Sequence, residues 1–153
     1  MITEMPPVPP SAIIAVPAAA AIEARNAAAV HAAFARWTAG DGSVFELLAS
    51  DFIWTIEGSG PLAGSYDRAS FARLLAPFNA NLARPLTPTL TSLLAKGDQV
   101  VVRFTATAPM RSGGDYRNSY AWFLTLRNGK IDTVTAFLDL QAFERVHGAD
   151  AVR

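Results

Sequence analysis

The chain has 153 residues, of which 51% are hydrophobic and 17% charged, with 13 basic and 13 acidic side chains and a formal net charge of zero. That length suits one domain with its own core, and the composition excludes intrinsic disorder. Without a Lys/Arg cluster there is no footprint for phosphates or anionic lipid, so neither a nucleic-acid nor a membrane partner is expected. The absence of cysteine excludes disulfides, thiolate metal sites and a Cys nucleophile.

Taken in chain order, residues 1–17 hold Pro6, Pro7, Pro9, Pro10 and Pro17. Proline fixes φ and removes donors, so an extended arm is expected. The apolar run 11–22 follows Glu4 rather than Lys or Arg and is broken by Pro17, unlike a secretory signal. The expectation is a tail on a cytoplasmic protein, with a domain at 18–148 and a second tail at 149–153.

From Ala18 the spacing of Ile22, Asn26, Val30, Phe34 and Trp37 predicts a helix with one buried face, ended by Gly40. Ser43 and Glu46 read as a capping box for a short second helix through Ala49. Residues 51–57 are rich in aromatic and β-branched side chains and predict a strand. The glycines at 58, 60 and 64 predict a loop, after which Asp67 caps a third helix with Phe71, Leu74, Leu75 and Phe78 inward and Pro77 as its kink or end. Four strands follow as a meander, at 86–95, 99–108, 116–127 and 130–138. Asn128-Gly129 is a signature of a type I′ hairpin turn. Residues 140–146 close as a short helix capped near Gly148. Helices first and antiparallel strands after argue an α+β fold. The expected form is a cone-shaped barrel, a curved, mostly antiparallel sheet packed on three N-terminal helices, with a pocket at its mouth.

Trp37 before Gly40-Asp41-Gly42, then residues 47–54, then Gly60-Pro61-Leu62-Ala63-Gly64, then Asn118, Tyr120, Trp122 and Phe123, and finally Asn128-Gly129-Lys130-Ile131 with Asp139 form an ordered set. In that order and spacing the chain resembles the SnoaL-like polyketide cyclases, the ketosteroid isomerases and their relatives in the nuclear transport factor two-like superfamily, over about residues 20–146. The resemblance implies a homodimer and a small-molecule pocket. It does not fix the function, since the superfamily holds both enzymes and non-catalytic binding modules.

Strand alternation selects the candidates. Arg103 lies among apolar residues of a central strand. Asp139 ends the last strand on the parity of Ile131, Thr133, Thr135 and Phe137. The expectation is that Arg103 and Asp139 approach each other near Tyr120, where Arg103 holds the carboxylate ionised as a base or water activator. The alternatives are a structural ion pair or Asp139 as a helix cap. Resemblance to limonene epoxide hydrolase implies a second carboxylate two residues after the arginine, where this chain has Thr105. Resemblance to the SnoaL-like cyclases implies Asp139 as proton carrier. Resemblance to the ketosteroid isomerases places their general base at Ile56, one residue from Glu57, and their hydrogen-bonding acid at Trp122. Glu57 is therefore a catalytic candidate only if a bulge near Gly58 turns it inward.

Trp54, Trp122, Phe137 and Phe34 are expected as apolar walls, with Asn118 and Tyr120 offering hydrogen bonds. No spacing suggests a metal site or cofactor, and His31 and His147 receive no role. The uncovered sheet face, with Phe104 or Phe123, is the expected dimer interface. The reading that emerges is a small hydrophobic molecule bound for cofactor-free proton-transfer chemistry of isomerase, cyclase or hydrolase type. Its rival is a non-catalytic binding or dimerisation module of the same fold.

Overall fold

The computed structural model describes residues 6–7 and 10–147, with 10–17 described as backbone only. The remainder of the expected N-terminal arm, the Gly148 cap and the tail at 149–153 lie outside the described residues. The first helix, α1 (Pro10–Ala39), begins ahead of Ala18 and so crosses the expected boundary at 17/18. Pro10 at its start is compatible with a helix, because the first-turn N–H groups have no intrahelical acceptor. Asn26, Val30, Ala33, Phe34 and Trp37 are its buried face.

Ser43 and Glu46 do form the capping box, but the turn they cap is a 3₁₀ segment, Val44–Leu47, and not a second α-helix. The strand β1 (Leu48–Ile56) starts directly after it. A short strand β2 (Gly64–Tyr66), unpredicted, folds back on β1. Asp67 caps α2 (Arg68–Ala80), accepting from the Ser70 N–H at 2.9 Å while its own N–H donates to Ser70 Oγ at 2.9 Å. Pro77 sits in the last turn of α2.

Strands β3 (Thr87–Lys96), β4 (Gln99–Pro109), β5 (Asp115–Arg127) and β6 (Lys130–Leu138) form the meander, and α3 (Leu140–His147) follows. Asn128 and Gly129 both take positive φ, 53° and 77°, as a type I′ turn requires.

The six strands make one mixed sheet in the order β2-β1-β6-β5-β4-β3, with β1 parallel to β6. This corrects the expected cone. The sheet is open, neither closed into a barrel nor strongly curved. Closure needs the first and last strands to pair with a consistent stagger. Here the two edges are β3 and the three-residue β2, which do not meet. Of the three helices expected ahead of the meander two are α-helices, α1 and α2, because the second is the 3₁₀ segment, while α3 is the short closing helix expected at the C-terminal end.

The helices cover one face of the sheet, α1 against β3 and β4, α2 against β1, and α3 against β5. Strict alternation on β4 and β5 sends Val100, Val102, Phe104, Tyr116, Asn118, Tyr120, Trp122 and Leu124 to that covered face. Phe104 is thus core rather than interface. On β6 a bulge intervenes: Leu126 faces Ile131 while Thr125 faces Thr133, leaving Asp132 extra. The parity expected for the whole strand therefore breaks, with Ile131 buried but Thr133 and Phe137 outward.

His147 is buried beside Phe78 and Phe143, its Nδ1 and Nε2 each 3.0 Å from a carbonyl oxygen, of Phe143 and Leu74 respectively. Together with Asn81 Nδ2, which donates to the Val146 carbonyl, it ties α3 to α2. Replacing His147 by Ala is expected to cost about 1–3 kcal/mol, since the Leu74 carbonyl loses its buried partner. Urea denaturation measures it; an unchanged midpoint at constant slope would show that the tie carries no stability.

Candidate functional site

Between the sheet and the helices lies a cavity of about 1260 Å³. That exceeds the usual range for drug-sized ligands and leaves room for a multi-ring molecule. Its floor is aromatic. Trp54 and Trp122 meet edge to face at 4.8 Å, Phe104 meets Trp122 in the same way at 4.6 Å, and Phe71 stacks on Trp54 at 4.5 Å. Each sits on an inward position of its strand or helix, so strand pairing and helix register fix the wall before any ligand arrives.

Tyr120 lines the cavity and stacks on Phe104 at 4.7 Å between ring centres. Its hydroxyl lies 2.6 Å from that of Tyr116, its inward neighbour on β5. Asn118, between them, is buried and uses all its amide valences. Its Nδ2 donates to Tyr116 Oη (2.8 Å) and to the Asp139 carbonyl (2.9 Å), and its Oδ1 accepts from the N–H groups of Ser119 (2.8 Å) and Asp139 (3.0 Å). Those partners fix the amide orientation: reversed, it would aim oxygen at a carbonyl and nitrogen at two N–H groups.

Tyr116 Oη accepts from Asn118, and the only other group in reach of its own proton among the described residues is Tyr120 Oη. Either phenol can donate in the Tyr116–Tyr120 contact, and of the two only Tyr120 lines the cavity. Burial, reinforced by Tyr116, pushes the Tyr120 phenol far above its ordinary value. Burial likewise raises Tyr116, partly offset by its hydrogen bonds to Tyr120 and Asn118 and helped by the charge of Asp139. Tyr120 is thus a neutral hydroxyl on the cavity wall.

The sequence candidates divide. Trp54, Tyr120 and Trp122 line the cavity. Phe34 is buried behind that wall, 4.9 Å from Phe104, and Asn118 sits behind Tyr116 as described. Phe137 does not face the cavity: the Asp132 bulge turns it outward, where it is 47% exposed. Arg103 is also on the outer face, opposite Ala121, which in turn pairs with Phe137, while Tyr120 points the other way. The expected Arg103–Asp139 approach is not made, because parity sends Arg103 outward while Asp139 caps α3, its Oδ1 accepting from the Ala142 N–H at 3.2 Å. Glu57 follows buried Ile56 and is exposed, its N–H bonded to the Ala136 carbonyl; no bulge turns it inward. None of these three carboxylate or guanidinium groups lines the cavity.

Sequence reasoning missed Tyr116, although its parity with Asn118 and Tyr120 was available. It also missed the rim residues Arg84 and Arg111, for which loop composition carries no signal. Glu46 and Asp115 are the carboxylates of the lining, and each faces an arginine, Arg36 at 2.8 Å and Arg117 at 3.8 Å. Among the described residues no group of acids and histidines is arranged for a metal ion, and no helix is long and apolar enough to cross a membrane.

The open α+β sheet, with helices on one face and an aromatic cavity between the layers, is an arrangement of the nuclear transport factor two-like superfamily. The chain belongs to the SnoaL-like domain family, whose model matches residues 19–134. Solved structures agree at the level of fold. A protein from a soil-derived mobile gene cassette is 20% identical with a TM-score of 0.65, covering 82% of this chain and 98% of the other. A proposed SnoaL-like polyketide cyclase from Jannaschia sp. CCS1 is 22% identical with a TM-score of 0.62, covering 84% and 94%. TerC, crystallised with polyporic acid, is 20% identical with a TM-score of 0.62, covering 82% and 99%. No curated protein matches the chain.

Proposed function

We propose that the chain is a cytoplasmic protein that binds a flat, largely apolar small molecule bearing a carbonyl group, and that Tyr120 hydrogen-bonds and polarises that carbonyl without a cofactor. The observation that carries this reading is the buried hydrogen-bonded run Asn118–Tyr116–Tyr120, whose last hydroxyl is on the cavity wall; with Tyr116 donating to Tyr120, the Tyr120 proton is left for a ligand. The aromatic floor of Trp54, Trp122 and Phe104 suits planar rings. TerC was crystallised with an organic acid, which is consistent with such a ligand. A donor aimed at a carbonyl favours enolisation or aldol-type closure, because negative charge grows on the oxygen. In this reading Asp139 acts as a positioning residue, holding Asn118 through its backbone, and Trp54, Trp122 and Phe34 shape the wall. Arg103 and Glu57 have no contact with the ligand.

The test pairs 9-fluorenone with fluorene, which lacks the carbonyl, and follows quenching of tryptophan fluorescence. Wild type is expected to prefer fluorenone about tenfold, the value of one net hydrogen bond. Tyr120→Phe is expected to abolish that preference. A variant that keeps it removes Tyr120 as the donor, and absence of quenching by both compounds removes the binding reading.

A second copy of the chain is proposed on the outer sheet face. Ile53, Leu94, Phe123 and Phe137 are exposed there, and Phe123 and Phe137 lie 5.9 Å apart between ring centres. Sedimentation equilibrium is expected to give a dimer that Phe123→Glu dissociates.

A further inference from the structure

The polar rim of the cavity is unbalanced in charge. Five charged residues line it, Glu46, Arg84, Arg111, Asp115 and Arg117. The two acids are each engaged by an arginine, Glu46 by Arg36 and Asp115 by Arg117. Arg84 and Arg111 remain, and among the described residues neither has a carboxylate within ion-pair distance.

The fold brings these two cations to one place. Arg84 lies between α2 and β3, and Arg111 opens the β4–β5 turn. The two segments are knitted together: the Ala83 N–H donates to the Pro109 carbonyl at 2.7 Å, the Arg111 N–H donates to the Asn81 carbonyl at 3.0 Å, and Leu82 bridges to Met110. Arg111 Nε donates to the Ala80 carbonyl at 2.9 Å, which restrains the guanidinium and leaves its terminal nitrogens without a protein partner among the described residues. An arginine whose stem is already restrained loses less entropy on engaging a ligand.

We propose that the ligand is an amphipathic organic carboxylate, its rings on the Trp54–Trp122 floor and its carboxylate at the rim between Arg84 and Arg111. This inference rests on the reading that the cavity binds flat apolar molecules and adds the charge and orientation of the ligand. A carboxylate there receives charge-assisted hydrogen bonds, stronger than neutral ones. Its rings extend inward, so the carboxylate end is the last to leave water. The cavity thereby selects acids over their esters and neutral analogues.

The experiment compares 9-fluorenone-2-carboxylate with its methyl ester by tryptophan quenching, using the same ring system as the neutral probe. Wild type is expected to bind the acid about tenfold more tightly than the ester at low salt, and the preference shrinks as salt screens the exposed guanidinium groups. The Arg84→Met/Arg111→Met variant is expected to bind acid and ester alike. Arg84→Met alone, at an exposed position without a hydrogen bond among the described residues, keeps the test independent of the bond from Arg111 to Ala80 and is expected to remove part of the preference. Equal affinity of wild type for acid and ester, with fluorenone still bound, overturns the carboxylate inference and leaves the binding reading standing. A preference that survives in the double variant overturns the assignment to these arginines. Failure of fluorenone, acid and ester alike removes both readings.

Discussion

Trp122→Ala is expected to destabilise the fold by about 3–5 kcal/mol, a large part of the 5–15 kcal/mol available to a domain of this kind. Trp122 is 4% exposed and stands on the covered face of β5, paired with β4 on one side and β6 on the other. Phe104, Trp54 and Tyr120 surround its ring at 4.6, 4.8 and 5.9 Å, and Trp37 stacks on it from α1 at 6.2 Å. Truncation opens space that a central strand, fixed by two ladders, cannot move to fill. Phe137→Ala is the control. Its ring is 47% exposed on the other face of the sheet, and its loss is expected to cost no more than about 1 kcal/mol in the monomer. Urea denaturation at low protein concentration compares the two. Equal midpoints would mean that the cavity floor is not the packing centre described above.

The contrast between these two aromatics shows how far the sequence could be read. Hydrophobic alternation on β4 and β5 separates the side chains into two sets correctly, because the period is two, but does not say which set the helices cover: Phe104, expected on the outer face, is core. On β6 the same argument fails at Asp132. A bulge adds one residue without any compositional mark, and Phe137 then lands on the wrong face. The Arg103–Asp139 pair failed for a related reason. Parity correctly places Arg103 opposite Phe137 across Ala121, but that is the outer face, and the chain leaves the sheet at Leu138, so Asp139 follows helix-capping geometry instead. The expected barrel does not form, because strand twist alone does not close a sheet whose edge strands never pair. Strand order, which needs long-range pairing of β1 with β6, is not written in local pattern. The α+β layering, the capping box at Ser43, the cap at Asp67 and the inward face shared by Asn118 and Tyr120 are local or parity-bound features and were legible.

The same buried pair predicts a steep alkaline limb in the stability curve. Tyr116 and Tyr120 have phenols raised above the ordinary value of 10.0, burial being the first cause for each. In the unfolded chain both would ionise near that ordinary value. The folded chain then binds more protons than the unfolded one once pH passes about 10, so stability is fully present below that point and falls as pH rises through the window above it. Each phenol that ionises only on unfolding contributes a slope of about 1.4 kcal/mol per pH unit, so the pair gives about 2.7. Tyr120→Phe is expected to halve the contribution of the pair, while the hydroxyl it removes lowers stability by about 1 kcal/mol at neutral pH. Urea titrations between pH 9 and 11.5 on wild type and variant isolate the difference, because the lysines and arginines are common to both. Parallel limbs would show that Tyr120 ionises in the folded state, and with that the neutral donor on which carbonyl recognition depends would be lost.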